Sequence, residues 1–342
     1  MTAALESKRL SELCTKFVES FKNAVSQQDL NRAASSVLNV AESISSSLRP
    51  RNADFSFQSE DDLYHEIIAN ILFCGPQEKD EVVGWGPDGE VPESIVLTVL
   101  KAYSALVWAT PVIQQLAKVT RMIEGLLRAF EQGTGSNGVK PTAAFLLSQI
   151  ALAGQNIAIR IATLPSLPDA CFKALSSTER ASKESLANET ALLINNLAAM
   201  GGRKATIILT ANPELMQELG FWLDNSHDAE TLQCLAGIFN HLSRSVESAS
   251  ALQAIGVMDH LIAVTKRHNI EGSAVAHEAY VGLANMAMAN IAAHQQHTVP
   301  TVFVSQTKEI KSIVGFLKCA IEKRYASHSF VTHVADRLLE AH

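Results

Sequence analysis

The feature that most constrains the fold of this 342-residue chain is an asparagine that recurs at a fixed interval. Asn195, Asn240 and Asn285 each follow two apolar residues, and each lies 45 residues from the next. Gln149 takes the same place 46 residues before Asn195. Apolar residues recur at helical spacing along most of the chain. A period of this length indicates stacked units of two or three helices, each packed against its neighbours.

Length and composition agree with a repeat architecture. A single hydrophobic core stops growing at roughly 250–300 residues, whereas stacked units have no such limit. Apolar residues make up 47% of the chain and charged residues 18%, which is typical of a folded protein. Alternating strand patterns are scarce. We predict helices at 3–25, 29–47, 60–73, 93–109, 111–131, 140–153, 155–163, 167–176, 182–200, 203–211, 213–224, 228–243, 247–254, 257–267, 273–292, 307–323 and 327–340.

The units share an internal order that resembles the armadillo repeat. A long helix ends in the asparagine segment, two short helices follow, and Gly256 allows a sharp turn before the apolar pair Leu261 and Ile262. The resemblance covers about 140–300 and is looser over 93–140. One repeat before Gly256, the residues Asn212 and Pro213 take the place of the turn glycine.

The resemblance implies an all-α fold, a right-handed α-α superhelix of the armadillo-like α-solenoid type. We expect repeats over 93–300 and capping helices over 301–342. Residues 1–92 would form a helical cap or degenerate repeats, with loops at 48–60 and 75–93. A long loop inside a repeat protein is either a plain insertion or functional, and Trp85 keeps the second reading open as a possible contact.

The resemblance also implies a binding face. In this family the third helix of each unit lines a concave groove, and the asparagine near its end bonds the backbone of an extended peptide. Residues seven positions earlier share that side of the helix. An internal role, bridging helices, is the alternative, and Asn196 competes with Asn195 for the register. The expected groove residues are Gln149, Asn188, Asn195, Gln233, Asn240, Arg244, Glu278 and Asn285.

The expected function is a non-catalytic scaffold or adaptor that binds a protein or peptide partner in this groove. A regulator of a folded partner, such as a chaperone cofactor or a small-GTPase regulator, is the alternative on the same fold. Nuclear-import adaptors of this family carry Trp four residues before the asparagine. This chain has other residues there, which argues against that specific role: Phe145, Ala191, Ala236 and Val281.

Motifs that could carry chemistry are isolated. The glycines of 133–138 match G-x-G-x-x-G, but a helix pattern precedes them where the dinucleotide motif needs a strand. His294 and His297 lack the further ligands of a zinc site. Cys234 and His241 share a predicted helix face, but no third residue in the pattern would orient the histidine for catalysis. The sequon at Asn188 falls inside a predicted helix. We therefore expect no catalytic residue, no metal and no cofactor.

Charge and cysteine usage limit the partner and the compartment. The net charge is −7, no run of basic residues occurs, and we expect no nucleic-acid partner. The overall acidity favours a basic partner. Five cysteines stand singly, and no apolar stretch reaches the ~18 residues of a membrane span. We expect a cytoplasmic protein, with a nuclear location left open, and self-association through the ends of the repeat stack as a further option.

Overall fold

The computed structural model describes residues 3–22, 26–48, 55–58, 61–74, 92–119, 121–133, 138–176, 184–268 and 273–295. Within these ranges the secondary structure is helical and contains no strand. The expectation of an all-α fold is therefore confirmed. The helices are α1 (Ala3–Lys22), α2 (Gln27–Leu48), α3 (Asp62–Cys74), α4 (Glu93–Leu106), α5 (Thr110–Lys118), α6 (Met122–Gln132), α7 (Val139–Ala151), α8 (Gln155–Ala162), α9 (Leu167–Ser176), α10 (Glu184–Thr210), α11 (Pro213–Asn225), α12 (Ala229–Leu242), α13 (Val246–Ala254), α14 (Val257–Arg267) and α15 (Ala274–Gln295).

Most predicted helices are found within a few residues of their expected ends, and one prediction is wrong. The span 111–131, expected as a single helix, is divided into α5 and α6. Arg121 adopts a left-handed conformation (φ 62°) directly before α6, which interrupts the helix. The two helices expected over 182–211 form α10, which is kinked at Gly202 (φ 57°, ψ −151°). The helices expected beyond residue 300 lie outside the described residues.

The chain divides into two compact units. Unit 1 contains α1–α8, the first part of α9 and α10 up to Leu193. Unit 2 contains the end of α9 (Cys171–Ser176), α10 from Ile194, and α11–α15. The expected division into a cap, repeats and end helices stays a prediction.

Unit 1 holds a short non-helical segment, 55–58, among its helices. Phe55 and Phe57 are buried, and the Gln115 side chain bonds both the N–H and the C=O of Phe57 at 3.0 Å. The rings of His65 and Phe57 meet edge to face, with their centroids 4.5 Å apart, and His65 Nδ1 lies 3.0 Å from the Tyr103 hydroxyl. Burial lowers the pKa of His65 to about 4, so the ring is neutral at pH 7.

In unit 2 the helices repeat the order expected from the sequence. The long helices α12 and α15 pack against each other, and the short helices α13 and α14 pack against α15. Gly256 adopts φ 82° between α13 and α14, as the turn requires, which confirms its predicted role. The preceding turn uses Asn212, whose side-chain oxygen accepts a hydrogen bond from the Leu215 N–H at 2.9 Å and caps α11. This geometry brings α10, α12 and α15 into position for the surface described next.

Candidate binding surface

The repeated asparagines of α12 and α15 are joined by hydrogen bonds. Asn240 Nδ2 donates to Glu278 Oε2 at 2.6 Å. Asn285 Nδ2 lies 3.3 Å from the Asn240 carbonyl oxygen, 3.4 Å from Asn240 Oδ1 and 3.2 Å from Ser243 Oγ. The Asn240 amide thus donates to one residue of α15 and accepts from another. We call Asn195, Asn240 and Asn285 the amide row.

Two glycines allow the long helices to approach the amide row. A Cβ at Gly237 would lie 3.2 Å from Asn195 Oδ1, and a Cβ at Gly282 would lie 3.4 Å from the Asn240 backbone nitrogen. Gly237 and Gly282 each stand three residues before an asparagine, so they repeat at the same 45-residue interval. The absence of a side chain at these places lets one long helix lie directly against the asparagine of the previous unit. Sequence reasoning missed this signal, although the interval was visible.

The asparagines are less open to solvent than the sequence-based hypothesis required. Asn240 is only 6% exposed, so its expected exposure on a groove is wrong. Because its amide bonds Glu278 and Asn285, the bridging alternative describes its role in unit 2. Asn285 is half-buried, with its Nδ2 turned to α12.

Asn195 and Asn196, which competed for the register, have different surroundings. Asn196 is buried, whereas Asn195 is half-buried and faces Gly237 of α12. The Oδ1 of Asn195 is buried and has no hydrogen-bond partner among the described residues. Asn195 therefore lies against the next long helix, and its place on a binding face stays a prediction.

The remaining expected groove residues differ in exposure. Gln233 and Arg244 are exposed, and Glu278 is half-buried beside Asn240. Gln149 and Asn188 belong to unit 1 and are both half-buried. Contact of any of these residues with a partner stays a prediction, and Trp85 lies outside the described residues.

An open cleft of about 400 Å³ lies beside the amide row in unit 2. Its walls come from the kinked part of α10 and from the corner between α12 and α13. We call it the basic cleft, because Arg203 stands on one wall and His241 and Arg244 on the other. Its lining residues are Ala198, Ala199, Gly202, Arg203, Thr206, His241, Arg244, Ser245, Val246 and Glu247.

The charges of the basic cleft are partly compensated. Arg203 donates a hydrogen bond to Glu247 across the cleft. The pKa of Glu247 lies below its usual value, because its carboxylate accepts a hydrogen bond from its own backbone N–H and also from Arg203. Arg244 is exposed and makes no ion pair within the described part of the chain. One arginine of the cleft is thus paired and the other is available.

The third basic group of the cleft, His241, is half-buried. Its pKa is lowered, first by burial and then by the charge of Arg244, while Glu278 acts in the opposite direction. The shift favours the neutral ring. Its Nδ1 is buried without a hydrogen-bond partner among the residues described.

The other motifs of the sequence show no chemical arrangement in the described ranges. Gly133 ends α6 and Gly138 (φ 83°) begins α7, so these two glycines flank a connection between helices. No group of three or more metal-ligating side chains occurs in those ranges. The side chain of His294 and all of His297 lie outside them. The sequon residue Thr190 is buried in α10 and donates to the Leu186 carbonyl at 2.7 Å.

None of the helices that the structure describes combines the length and the apolar character needed to cross a bilayer.

Comparison with known proteins shows a likeness in fold without a likeness in sequence. The chain matches no protein-family model and no curated protein by sequence. Among solved structures, it is similar to a designed armadillo repeat protein in complex with a (KR)4 peptide, with a TM-score of 0.53 and 16% identity. That match covers 81% of this chain and 98% of the other.

A second solved structure, of an engineered protein, is similar with a TM-score of 0.53 and 17% identity, over 99% of this chain and 95% of the other. Identities this low are evidence of the fold alone. The expected resemblance to armadillo repeats, made from the residues around Asn195, Asn240 and Asn285, is confirmed at that level. In its fold the chain is an armadillo-like helical repeat protein.

Proposed function

We propose that this chain is a non-catalytic scaffold that binds a segment of a partner protein on the surface formed by α10, α12 and α15 in unit 2. The observation that carries the proposal is an open, preformed cleft next to a row of helices that are fixed to each other. Hydrogen bonds from Asn240 to Glu278 and from Asn285 to Asn240 hold α12 and α15 together. A rigid surface binds with a smaller loss of conformational entropy than a mobile one.

The surface combines polar and apolar contact groups, as interfaces do. Gln233 and Arg244 supply exposed donors, and Val246 at the rim of the basic cleft is 45% exposed. The α10 wall of the cleft includes Ala198, Ala199 and Gly202, and these small residues leave room for a ligand group. The designed armadillo repeat protein with a bound (KR)4 peptide supports the proposal by analogy of fold only.

Site-specific photo-crosslinking tests the proposal. A benzophenone amino acid is placed at Gln233 or Val246 on the proposed surface, and at Gln217, an exposed position of α11, as the matched control. The full chain is irradiated in a lysate of the cells that produce it. We expect the same partner protein to be crosslinked from Gln233 and Val246 and not from Gln217.

The opposite pattern contradicts the proposal. Partners crosslinked equally from all three positions, or from Gln217 alone, would place binding elsewhere on the chain. Circular dichroism of each variant shows whether the helices are kept, so that unfolding is not mistaken for a loss of binding.

A further inference from the structure

The basic cleft has a local charge opposite to that of the chain. The chain carries −7, whereas the cleft lining carries two arginines, Arg203 and Arg244, against one carboxylate, Glu247. Apart from His241, whose pKa is lowered, the lining residues carry one net positive charge, and Glu278, whose charge acts on His241, lies outside the lining. Charges in direct contact decide what enters a cleft, because interactions between exposed groups are screened beyond about 8–10 Å in physiological salt.

We propose that the basic cleft binds the carboxylate of an aspartate or glutamate side chain in the partner segment. This inference rests on the proposed function and adds the chemistry of the ligand. Arg244 supplies the free cation, and Arg203, held by Glu247, supplies a second guanidinium on the opposite wall. Planar guanidinium groups match carboxylates with paired hydrogen bonds.

The lining argues against a basic side chain as the occupant. Among the described residues, no Trp, Tyr or Phe lines the cleft, so a Lys or Arg of a partner would find none of the rings that favour cation–π contact there. Glu247 is the one carboxylate among the lining residues, and Arg203 already bonds it. An incoming cation would face two arginines, which is a repulsive arrangement.

The remaining charge matches a carboxylate more closely than a phosphate. One net positive charge balances a single carboxylate, whereas a phosphate group carries about −1.5 to −2 at pH 7. The two hydroxyls of the lining already have acceptors, because Thr206 donates to the Arg203 carbonyl at 2.9 Å and Ser245 donates to Ser248 Oγ at 2.8 Å. The arginines therefore supply the contacts to the carboxylate, and Arg244 lies near enough to His241 for its charge to lower the pKa of the ring.

The first test selects ligands from a display library of random linear 12-residue peptides, with the full chain as bait. We expect the wild-type chain to enrich peptides with Asp or Glu at one shared position. The Arg203→Gln/Arg244→Gln double variant is expected to lose that enrichment. The reversal Arg244→Glu is expected to enrich Lys or Arg at the same position.

A matched control separates the cleft from a general loss of positive charge. Arg160 is also an ion-paired surface arginine, bonded to Glu124 at 2.6 Å, but it belongs to unit 1. The Arg160→Gln variant should enrich the same acidic peptides as the wild type. If Arg160→Gln removes the acidic preference as fully as the double variant, the cleft is not its source and the inference is overturned.

The second test measures one selected peptide by fluorescence anisotropy, beside copies in which the acidic residue is replaced. Arg244→Gln should raise the Kd of the acidic peptide roughly tenfold, which corresponds to the loss of a hydrogen bond to a charged group. The same variant should leave the Kd of the Glu→Gln or Asp→Asn copy unchanged. A copy with phosphoserine at that position should bind no more tightly than the acidic peptide, and tighter binding would reassign the cleft to phosphate.

The outcomes separate the inference from the proposed function. Selected peptides without a shared acidic residue, still crosslinked from Gln233 and Val246, would overturn the acidic ligand and leave the scaffold function standing. A library that yields no binding peptide contradicts both.

Discussion

Asn285 donates its side-chain amide to both the backbone and the side-chain oxygen of Asn240, the equivalent residue of the preceding unit (3.3 and 3.4 Å). The Asn240 amide in turn donates to Glu278 at 2.6 Å. The Asn240 amide therefore both donates to α15 and accepts from it, which links α12 and α15 at two points. In unit 2 the repeated asparagine therefore has a structural task, and the neighbouring cleft offers the open contact groups.

Replacing Asn240 with alanine tests that task. The substitution removes the donor to the half-buried Glu278 carboxylate and the side-chain acceptor of Asn285, whose amide keeps the backbone carbonyl of residue 240 and Ser243 Oγ. We expect the free energy of unfolding to fall by about 1–3 kcal/mol, the range for an unsatisfied buried polar group. Gln233→Ala, on the same helix but exposed, should change it by less than ~0.5 kcal/mol. Urea unfolding followed by circular dichroism measures both, and equal effects would show that the network contributes nothing.

Gly220 and His260 are expected to be energetically coupled. A Cβ at Gly220 would lie 2.7 Å from His260 Cδ2, and Asp224 holds that ring through a 2.6 Å contact between its Oδ2 and Nδ1. Gly220→Ala must displace the ring, which opposes the gain of about 1 kcal/mol that alanine brings over glycine inside a helix. In a His260→Ala background the clash is gone, so the same substitution should stabilise the protein. A difference of about 1–3 kcal/mol between the two backgrounds is expected, and additive effects would refute the coupling.

Part of this architecture could be predicted from the sequence, because it depends on local spacing. The 45-residue interval indicated the repeated unit, and helix α14 was predicted with its observed ends. The break between α5 and α6 was missed, since Arg121 is neither Gly nor Pro and gives no local signal for its φ of 62°.

The candidate site was less predictable for a physical reason. Whether Asn240 is exposed depends on how closely α15 approaches, and that distance is set by Gly282 and by a carboxylate 38 residues away. The cleft likewise joins Arg203 to Glu247, 44 residues apart, and Arg203 was not singled out in the sequence. Contacts between successive units follow from the interval only once the register of the helices is known.

The buried ring of His65 predicts a loss of stability in acid. Its pKa is lowered to about 4 in the folded protein, against 6.5 as its ordinary value. The unfolded chain therefore binds the proton more readily between these values, and the stability present above pH 6.5 is lost as the pH falls toward 4. The expected loss between pH 7 and pH 5 is about 2 kcal/mol.

Urea unfolding of the wild type and of His65→Gln at both pH values checks this expectation. Glutamine can keep a hydrogen bond to Tyr103 but does not titrate in this range, so the variant should show a loss smaller by about 2 kcal/mol. If the two proteins lose the same stability between pH 7 and pH 5, other groups cause the acid sensitivity.

Cys171 and Cys234 are expected to differ in reactivity within the folded chain. Burial raises the pKa of Cys171 to about 12, and its side chain has no exposed surface, whereas Cys234 is half-exposed. Since the thiolate is the reactive form, iodoacetamide at pH 8 should alkylate Cys234 in the native protein and leave Cys171 intact. In concentrated urea both should react at the same rate, as peptide-resolved mass spectrometry can measure. Equal alkylation in the native state would mean that the packing around Cys171 opens readily, and the core of unit 2 would then be less rigid than a preformed binding surface requires.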